Sequence, residues 1–137
     1  MNYQEAERHI LSFTDYEKTP GVLYTSTTYD LARMECLLQG LDNPHMAAQS
    51  AHVAGTKGKG STTAMIASAL ARAGYRTGLY TSPHLHTAVE RIRVGMEPVS
   101  QEEFARLVAQ VWPTVQWVSD HGGYGEVTTF EMFTALA

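Results

Sequence analysis

One stretch of sequence decides the fold: His52-Val53-Ala54-Gly55-Thr56-Lys57-Gly58-Lys59-Gly60-Ser61-Thr62-Thr63. Its three glycines allow backbone conformations that other residues avoid, and they let backbone N–H groups approach an anion. Lys59 adds a positive charge. A helix that is predicted to begin at Ser61 directs its free N–H groups and the positive end of its dipole to the same place. The stretch therefore predicts a phosphate-binding loop.

The match to the general nucleotide-loop pattern is incomplete. When Gly58-Lys59 is aligned with the Gly-Lys pair of the pattern, its first glycine falls on Val53, and Gly60 replaces the Ser or Thr that follows the lysine. The hydroxyl comes one residue late, at Ser61. Glycine-rich turns also occur as plain connections, so a strand-to-helix turn without a ligand is the alternative interpretation.

Two motifs resemble those of one protein family. The loop resembles the run His-Val-x-Gly-Thr-Asn/Lys-Gly-Lys-Gly-Ser/Thr of the Mur-ligase superfamily, and within it of folylpolyglutamate synthase and the bifunctional dihydrofolate synthase. Lys57 lies at the variable Asn/Lys position. The second motif resembles the same family in order and spacing, and consists of Gly78-Leu79-Tyr80-Thr81-Ser82-Pro83-His84-Leu85 followed by Glu90-Arg91-Ile92-Arg93-Val94.

The residues around the loop predict a strand–helix–strand unit. A short apolar strand is expected at about 51–54 and a second strand from Arg76 to Tyr80. The helix between them ends at Gly74, and its apolar face consists of Met65, Ile66, Ala69, Leu70 and Ala73. Such a unit is right-handed with parallel strands. With the resemblance, the fold class is α/β: a P-loop-containing, mostly parallel sheet with flanking helices, an incomplete Mur-ligase-like ATP-binding domain.

Apolar residues at helical spacing predict further helices. One lies within residues 2–13, and a second ends at Gly40 with Leu31, Met34, Leu37 and Leu38 on its inner face. A capping box at Ser100–Glu103 opens a third, whose inner face carries Phe104, Leu107, Val108, Val111 and Val115 and which Pro113 kinks or ends. Thr128 or Thr129 caps a fourth. Gly95-Met96 predicts a turn after residues 90–94.

Composition limits the class of protein. The chain of 137 residues is 44% hydrophobic and 18% charged, which is typical of one globular domain. Its net charge of −4 argues against general affinity for nucleic acid, and no apolar run is long enough to cross a membrane. Cys36 is the single cysteine, which excludes an intrachain disulfide. Since no export signal is visible, a cytoplasmic location is predicted.

We divide the chain into an N-terminal helical region, 1–50, and a P-loop α/β core, 51–137. An apolar helix without a C-cap signal reaches Ala137, so the chain is expected to be the N-terminal part of a longer ligase that lacks here its C-terminal domain. The resemblance implies that the glutamate site and the remaining magnesium ligands lie in that missing part. The longer protein is expected to be a monomer, and the isolated chain to be inactive and prone to self-association.

The resemblance also implies site residues. ATP phosphates are expected to bind Gly55, Thr56, Lys57, Gly58, Lys59, Gly60 and Ser61, with Lys59 as the catalytic residue. Ser82 is expected to be a ligand of Mg²⁺; without the resemblance, Ser82-Pro83 is simply a turn. The folate or pteroate is expected to contact Thr28, Tyr29, Asp30, Leu31, Thr128 and Phe130. For residues 28–31, an N-cap region is the open alternative. His84 and His86 are expected to be loop histidines.

The function that the resemblance implies is the ATP-dependent addition of L-glutamate to tetrahydrofolate, with dihydropteroate as a further substrate, through an acyl phosphate. Two alternatives remain open. One is another Mur-superfamily amino-acid ligase that acts on a peptidoglycan precursor, which Gly60 disfavours because those enzymes usually have threonine directly after the loop lysine. The other is a module that binds a nucleotide or phosphate without catalysis.

Overall fold

A computed structural model describes residues 1–15 and 30–137 of the chain. Within these residues the elements are α1 (Tyr3–Leu11), α2 (Leu31–Gly40), α3 (Lys59–Arg72), β1 (Gly78–Tyr80), β2 (Ile92–Val94), β3 (Glu97–Pro98), α4 (Gln101–His121) and α5 (Thr129–Leu136). Short 3₁₀ turns occur at Pro44–Met46 and Ala88–Arg91. Each predicted helix is therefore present. None of the helices in the described part of the chain has both the length and the apolar character needed to cross a bilayer.

The hydrophobic core forms around α4. Helices α1, α2 and α5 pack against it. Its buried residues recur at intervals of three and four positions, the spacing of one helix face; they are Phe104, Ala105, Val108, Val111, Val115 and Val118. The other helices contribute Ala6, Ile10, Leu37, Met132, Phe133 and Leu136. The predicted inner face of α4 is confirmed, with Leu107 partly buried at its margin.

Pro113 does not end α4, which continues to His121. A proline removes one backbone hydrogen bond and crowds the preceding turn. Val111 and Val115 on either side of it are buried in the core. Tertiary packing therefore holds the helix together across the proline, because packing of an apolar face contributes more to helix stability than local propensity does.

Capping side chains fix where four of the helices begin. Asn2, Asp30, Ser100 and Thr128 each accept a hydrogen bond from a backbone N–H of the following turn. Of the two threonines predicted as the N-cap of α5, Thr128 is the one that caps it, and Glu131 completes a reciprocal capping box. At α4 only half of the predicted capping box forms: Ser100 accepts from the N–H of Glu103, but the carboxylate of Glu103 lies 2.6 Å from Arg106. Local chemistry of this kind explains why the helix starts were predictable.

The three strands form an antiparallel sheet in the order β1-β2-β3. Leu79 lies opposite Arg93, and Arg93 lies opposite Pro98. Gly95 has φ +66°, as a tight turn requires, and its N–H donates to the carbonyl of Thr77 at 2.7 Å. The predicted turn at Gly95-Met96 is confirmed.

The predicted parallel pairing around the loop is wrong for the described residues. Residues 51–54 form no strand, and β1 pairs with β2 in the antiparallel sense. A strand requires a neighbour that satisfies its backbone hydrogen bonds, and the sheet within residues 1–15 and 30–137 consists of β1, β2 and β3, which pair with one another. Helix α3 is correspondingly open: only Ala67 is buried, and Met65 is 65% exposed on the face that was predicted to pack.

The inner face of α2 also differs from the prediction. Leu37 is buried as expected, but Leu31 is 78% exposed, and Arg33 is buried in its place. The guanidinium of Arg33 forms an ion pair with Glu131 of α5. A charge that has a partner can be buried, so Arg33 faces inward in the first turn of α2 and Leu31 faces outward.

The end of α3 agrees with the prediction. Gly74 follows this helix with φ +90°, and the N–H of Tyr75 donates to the carbonyl of Leu70 at 3.1 Å, so the predicted glycine C-cap of α3 is confirmed.

Candidate nucleotide and substrate site

The loop ahead of α3 has the backbone geometry of an anion-binding turn. Gly55 has φ +154° and Gly58 has φ +77°, values that residues with a side chain rarely adopt. Gly58 is the N-cap of α3 and has no side chain with which to cap it. The first bond within the helix is from the N–H of Thr62 to the carbonyl of Gly58, at 2.9 Å. The N–H groups of the three residues between them, Lys59, Gly60 and Ser61, therefore have no acceptor within the helix.

Space for a ligand is present at this turn. A methyl group placed on Gly58 or Gly60 would have no atom within 4 Å, and residues 54–62 are exposed. The ammonium of Lys59 donates to the carbonyl of Gly55 at 2.7 Å, so the side chain lies back along the loop. Free amides, the helix dipole and the lysine charge therefore face one open region, the combination that binds phosphate. Thr56 and Lys57 are also exposed there.

Ser82 lies two residues beyond the end of β1, in a loop that is held at several points. Ser82 is exposed, and its bond to Pro83 is cis. The carboxylate of Glu90 accepts hydrogen bonds from the backbone N–H groups of Leu85 and His86, both at 2.9 Å, and of Thr87 at 2.7 Å. These bonds, first those from Leu85 and Thr87, lower the pKa of Glu90 to about 2. Glu90 is therefore an anion that organises the loop following Ser82.

The same loop is attached to the core through His84. Arg91 donates from Nε to Nδ1 of His84 at 2.9 Å, and the Arg91 guanidinium lies over the ring of Phe133. The N–H of Thr81 donates to the Arg91 carbonyl at 3.0 Å. His84 is therefore a loop histidine, as predicted, and its ring accepts a hydrogen bond from the buried Arg91.

Magnesium fits Ser82 only as part of a larger set of ligands. A hydroxyl is a hard oxygen donor of the kind that Mg²⁺ accepts, and Mg²⁺ usually completes its octahedron with phosphate oxygens and water. Among the described residues no group of three or more His, Cys, Asp and Glu could hold a metal. Within this part of the chain, Ser82 could therefore contribute one protein ligand to a Mg²⁺ that phosphates also bind.

The predicted substrate residues that are described lie at the starts of two helices. Asp30 caps α2 by accepting from the N–H of Ala32 at 2.9 Å, so the alternative N-cap interpretation applies to it. Leu31 is the exposed first residue of α2. Thr128 is buried and caps α5, while Phe130 is 43% exposed, with its ring centre 6.4 Å from that of Tyr80. Thr28 and Tyr29 lie outside the described residues.

Sequence reasoning did not select the ion pair that joins these two helix starts. Nε of Arg33 lies 3.0 and 2.8 Å from the two carboxylate oxygens of Glu131, and Nη1 donates to the carbonyl of Tyr124 at 2.9 Å. The Thr-x-x-Glu spacing of Thr128 and Glu131 is that of a capping box, and it points to Glu131, one of the two members of the ion pair. No local pattern signals the pairing of Arg33 with Glu131, which is 98 positions away along the chain.

The chain resembles curated proteins along nearly all of its length, although no family model matches it. It is 42% identical over 135 residues to the dihydrofolate synthase/folylpolyglutamate synthase of Bacillus subtilis, covering 98% of this chain and 29% of that protein. It is 36% identical over 136 residues to the folylpolyglutamate synthase of Lacticaseibacillus casei, covering 99% and 30%. The chain thus spans less than a third of the length of these relatives.

Solved structures agree. The folylpolyglutamate synthase of Thermotoga maritima superposes with a TM-score of 0.82 at 33% identity, over 98% of this chain and 29% of that one. A folylpolyglutamate synthase in complex with AMPPCP and folate gives 0.81 at 36% identity, over 100% and 31%. The Mycobacterium tuberculosis enzyme with ADP gives 0.84 at 27% identity, over 98% and 28%.

These neighbours confirm the predicted fold class, since the matched parts are the N-terminal, Mur-ligase-like domains of such enzymes. The helices and the small antiparallel sheet described above correspond to part of that domain. The sequence relatives and the solved structures are named for the same enzyme, folylpolyglutamate synthase. The chain is therefore a homologue of folylpolyglutamate synthase and dihydrofolate synthase and represents about 30% of their length.

Proposed function

We propose that this chain forms the phosphate-binding part of a ligase that uses ATP to join L-glutamate to tetrahydrofolate, with dihydropteroate as a second acceptor. The observation that carries the proposal is the junction of loop and α3, where Gly58 has φ +77° and Lys59 begins the helix. Support comes from the relatives, which are named for this activity, and from the solved complexes with ADP and with AMPPCP and folate.

In this proposal the phosphates of ATP accept hydrogen bonds from the loop residues 55–58 and from the free N–H groups of Lys59, Gly60 and Ser61. The ammonium of Lys59 leaves the carbonyl of Gly55 and donates to a phosphate oxygen. Lysine and amides then stabilise the charge that develops on the transferred phosphoryl group. The substrate carboxylate attacks the γ-phosphate of ATP, and ADP leaves. The amine of glutamate then attacks the carbonyl carbon of the resulting acyl phosphate, forms the amide bond with loss of a proton, and displaces inorganic phosphate.

Magnesium, when bound, neutralises phosphate charge, and the hydroxyl of Ser82 supplies one oxygen ligand. Glu90 keeps the loop around Ser82 in place through its three backbone acceptor bonds. Glu90 would therefore act on the magnesium site only indirectly, because its carboxylate already accepts hydrogen bonds from the backbone of the loop.

The folate is proposed to bind where α2 and α5 begin, at Thr28, Tyr29, Asp30, Leu31, Thr128 and Phe130. The partly exposed ring of Phe130 offers a face on which a flat heterocycle can stack. The division of the chain at residue 50, the monomeric state and the cytoplasmic location of the full-length protein remain predictions alongside this one.

The test is turnover by the full-length protein. We expect release of ADP that requires both L-glutamate and tetrahydrofolate, and a loss of about 100-fold or more in Lys59→Ala. Arg72→Ala is the matched control, since it removes one positive charge from the opposite end of the same helix. It should retain wild-type turnover.

Other outcomes separate the alternatives. Turnover with a peptidoglycan precursor and not with folates would identify another Mur-type ligase. Binding of ATP without turnover of any acceptor would identify a binding module. Wild-type activity in Lys59→Ala would remove this lysine from the mechanism.

A further inference from the structure

Ser82 lies between two points at which its loop is bonded to a single residue. Directly before it, the N–H of Thr81 donates to the carbonyl of Arg91 at 3.0 Å. Two positions after it, Nδ1 of His84 accepts from Nε of Arg91 at 2.9 Å. Arg91 therefore binds the chain on one side of Ser82 through its backbone and on the other side through its side chain.

The backbone bond continues the pairing of β1 with β2 and extends it by one position. The chain therefore has a fixed register as far as Thr81. Pro83 follows Ser82, and the proline ring restricts the backbone angle φ. The short segment from Thr81 to His84 consequently has little conformational freedom once both ends are bonded to Arg91.

The side-chain bond starts from a group that is itself fixed in the core. Arg91 and Phe133 are each 1% exposed, and the guanidinium carbon lies 4.2 Å from the centre of the Phe133 ring. A planar guanidinium makes its hydrogen bonds in fixed directions. The bond from Arg91 to His84 therefore sets the position of the loop relative to α5.

The rest of the loop is held by a different residue. The carboxylate of Glu90 accepts from the N–H groups of Leu85, His86 and Thr87, all of which come after His84 in the chain. The bonds of Glu90 thus begin where those of Arg91 end. The segment that contains Ser82 is held by the two bonds of Arg91.

An arginine is a costly residue to bury at this place. A charged group loses its hydration in the core, and replacing buried charged groups by apolar ones of similar size is often neutral or stabilising. An apolar side chain could also pack against Phe133. The bond to His84, in contrast, requires a donor, and this gives the buried arginine a purpose beyond filling the core.

We propose that Arg91 is a positioning residue for Ser82 and that its side chain acts through His84. It holds the serine where its hydroxyl can bind Mg²⁺, and it contacts neither the ion nor a substrate. This inference rests on the proposed function. Since Mg²⁺ demands near-ideal octahedral geometry, a small displacement of one protein ligand should weaken its binding. A purely structural arginine would affect stability and leave the dependence on Mg²⁺ unchanged.

The experiment changes His84 in the full-length protein, because a substitution of Arg91 would also remove its contact with Phe133 from the core. His84→Leu removes the acceptor nitrogen, whereas His84→Asn offers an amide oxygen as an acceptor in its place. His86→Leu is the matched control. It removes a histidine side chain from the same loop and keeps the backbone N–H that donates to Glu90.

Three quantities are measured: the Mg²⁺ concentration that gives half-maximal turnover, the affinity for ADP with and without Mg²⁺, and the midpoint of thermal unfolding. We expect His84→Leu to raise the half-maximal Mg²⁺ concentration about 10-fold, as is typical when a partner of a metal ligand is lost. Binding of ADP should weaken only when Mg²⁺ is present. His84→Asn should recover most of the loss, and His86→Leu should match the wild type.

A double variant with Ser82→Ala shows whether the effect passes through this serine. If Arg91 positions Ser82, His84→Leu should add nothing to the loss of Mg²⁺ affinity that Ser82→Ala causes. Additive losses would overturn the inference, as would a lower unfolding midpoint of His84→Leu with unchanged Mg²⁺ dependence. Wild-type Mg²⁺ dependence of Ser82→Ala alone would instead overturn the magnesium role of Ser82 in the proposed function, and this inference with it.

Discussion

The guanidinium carbon of Arg91 lies 4.2 Å from the centre of the Phe133 ring, and each of the two residues is 1% exposed. Attraction between a cation and an aromatic face reaches about 2 kcal/mol or more when water is excluded. Arg91 also donates to His84. The contact therefore links α5 in the core to the loop that contains Ser82.

The first prediction is that Arg91 and Phe133 are energetically coupled. In a cycle of Arg91→Met, Phe133→Leu and the double variant, we expect a coupling of about 1–2 kcal/mol in the free energy of unfolding. Urea denaturation measures it. The control replaces Arg91→Met by Arg106→Met, an exposed arginine on α4, for which the coupling to Phe133→Leu should be near zero. Additive effects in the first cycle would contradict the prediction.

The second prediction concerns the pH dependence of stability through Glu90. Its folded pKa of about 2 lies below the ordinary value of 4.5. The ionised form is therefore favoured in the folded state, so its contribution to stability is complete above pH 4.5 and is lost as the pH falls toward 2. Glu90→Gln should be less stable than wild type at pH 7, and the gap should close between pH 4.5 and 2. A gap that is constant with pH would exclude this carboxylate as its cause.

The third prediction separates stability from ligand binding in the phosphate loop. Gly58→Ala should destabilise the chain by about 1 kcal/mol, because φ is +77°, which is unfavourable for alanine. The new methyl group meets no atom, so no steric clash adds to this cost. Gly60→Ala, in the first turn of α3, should instead stabilise it by up to about 1 kcal/mol. Both methyl groups would be added within the loop proposed to bind phosphate, so both variants should bind ATP less tightly. For Gly60→Ala, measured on the same preparation, the free energy of unfolding should therefore rise while the affinity for ATP falls.

The fourth prediction is that Ser82→Ala weakens magnesium-dependent turnover in the full-length protein more than folate affinity. The apparent affinity for Mg²⁺ should fall about tenfold or more, and the activity should recover as Mg²⁺ is raised. Ser12→Ala, which removes an exposed hydroxyl at the end of α1, is the control. Wild-type activity of Ser82→Ala at limiting Mg²⁺ would leave Ser82 as part of a turn.

Local signals made much of the fold predictable. Asn2, Ser100 and Thr128 cap helices that begin where the sequence indicates, and the apolar spacing along α4 matches its buried face. The loop was predictable for the same reason, since Gly58 has the positive φ that its position requires. Each of these features depends on residues within a few positions of one another.

Pairing between distant segments was not predictable in this way. Nothing in residues 51–54 or 76–80 specifies which neighbour a strand will have, and β1 pairs with β2 rather than with the segment before the loop. Apolar spacing placed Leu31 on the inner face of α2, yet Arg33, bonded to Glu131, is buried there and Leu31 is exposed. A long-range partner can reverse the inner and outer faces that hydrophobicity alone assigns.

The open face of α3 has a consequence for the loop that it carries. Only Ala67 of this helix is buried, so little besides the helix's own hydrogen bonds protects its backbone amides from exchange with solvent. Helix formation is cooperative, and a ligand that binds the first amides lowers the population of frayed states along the whole element. Nucleotide occupancy at Gly58 and Lys59 would thus appear as slower deuterium uptake as far as Arg72, while the buried α4 would change little.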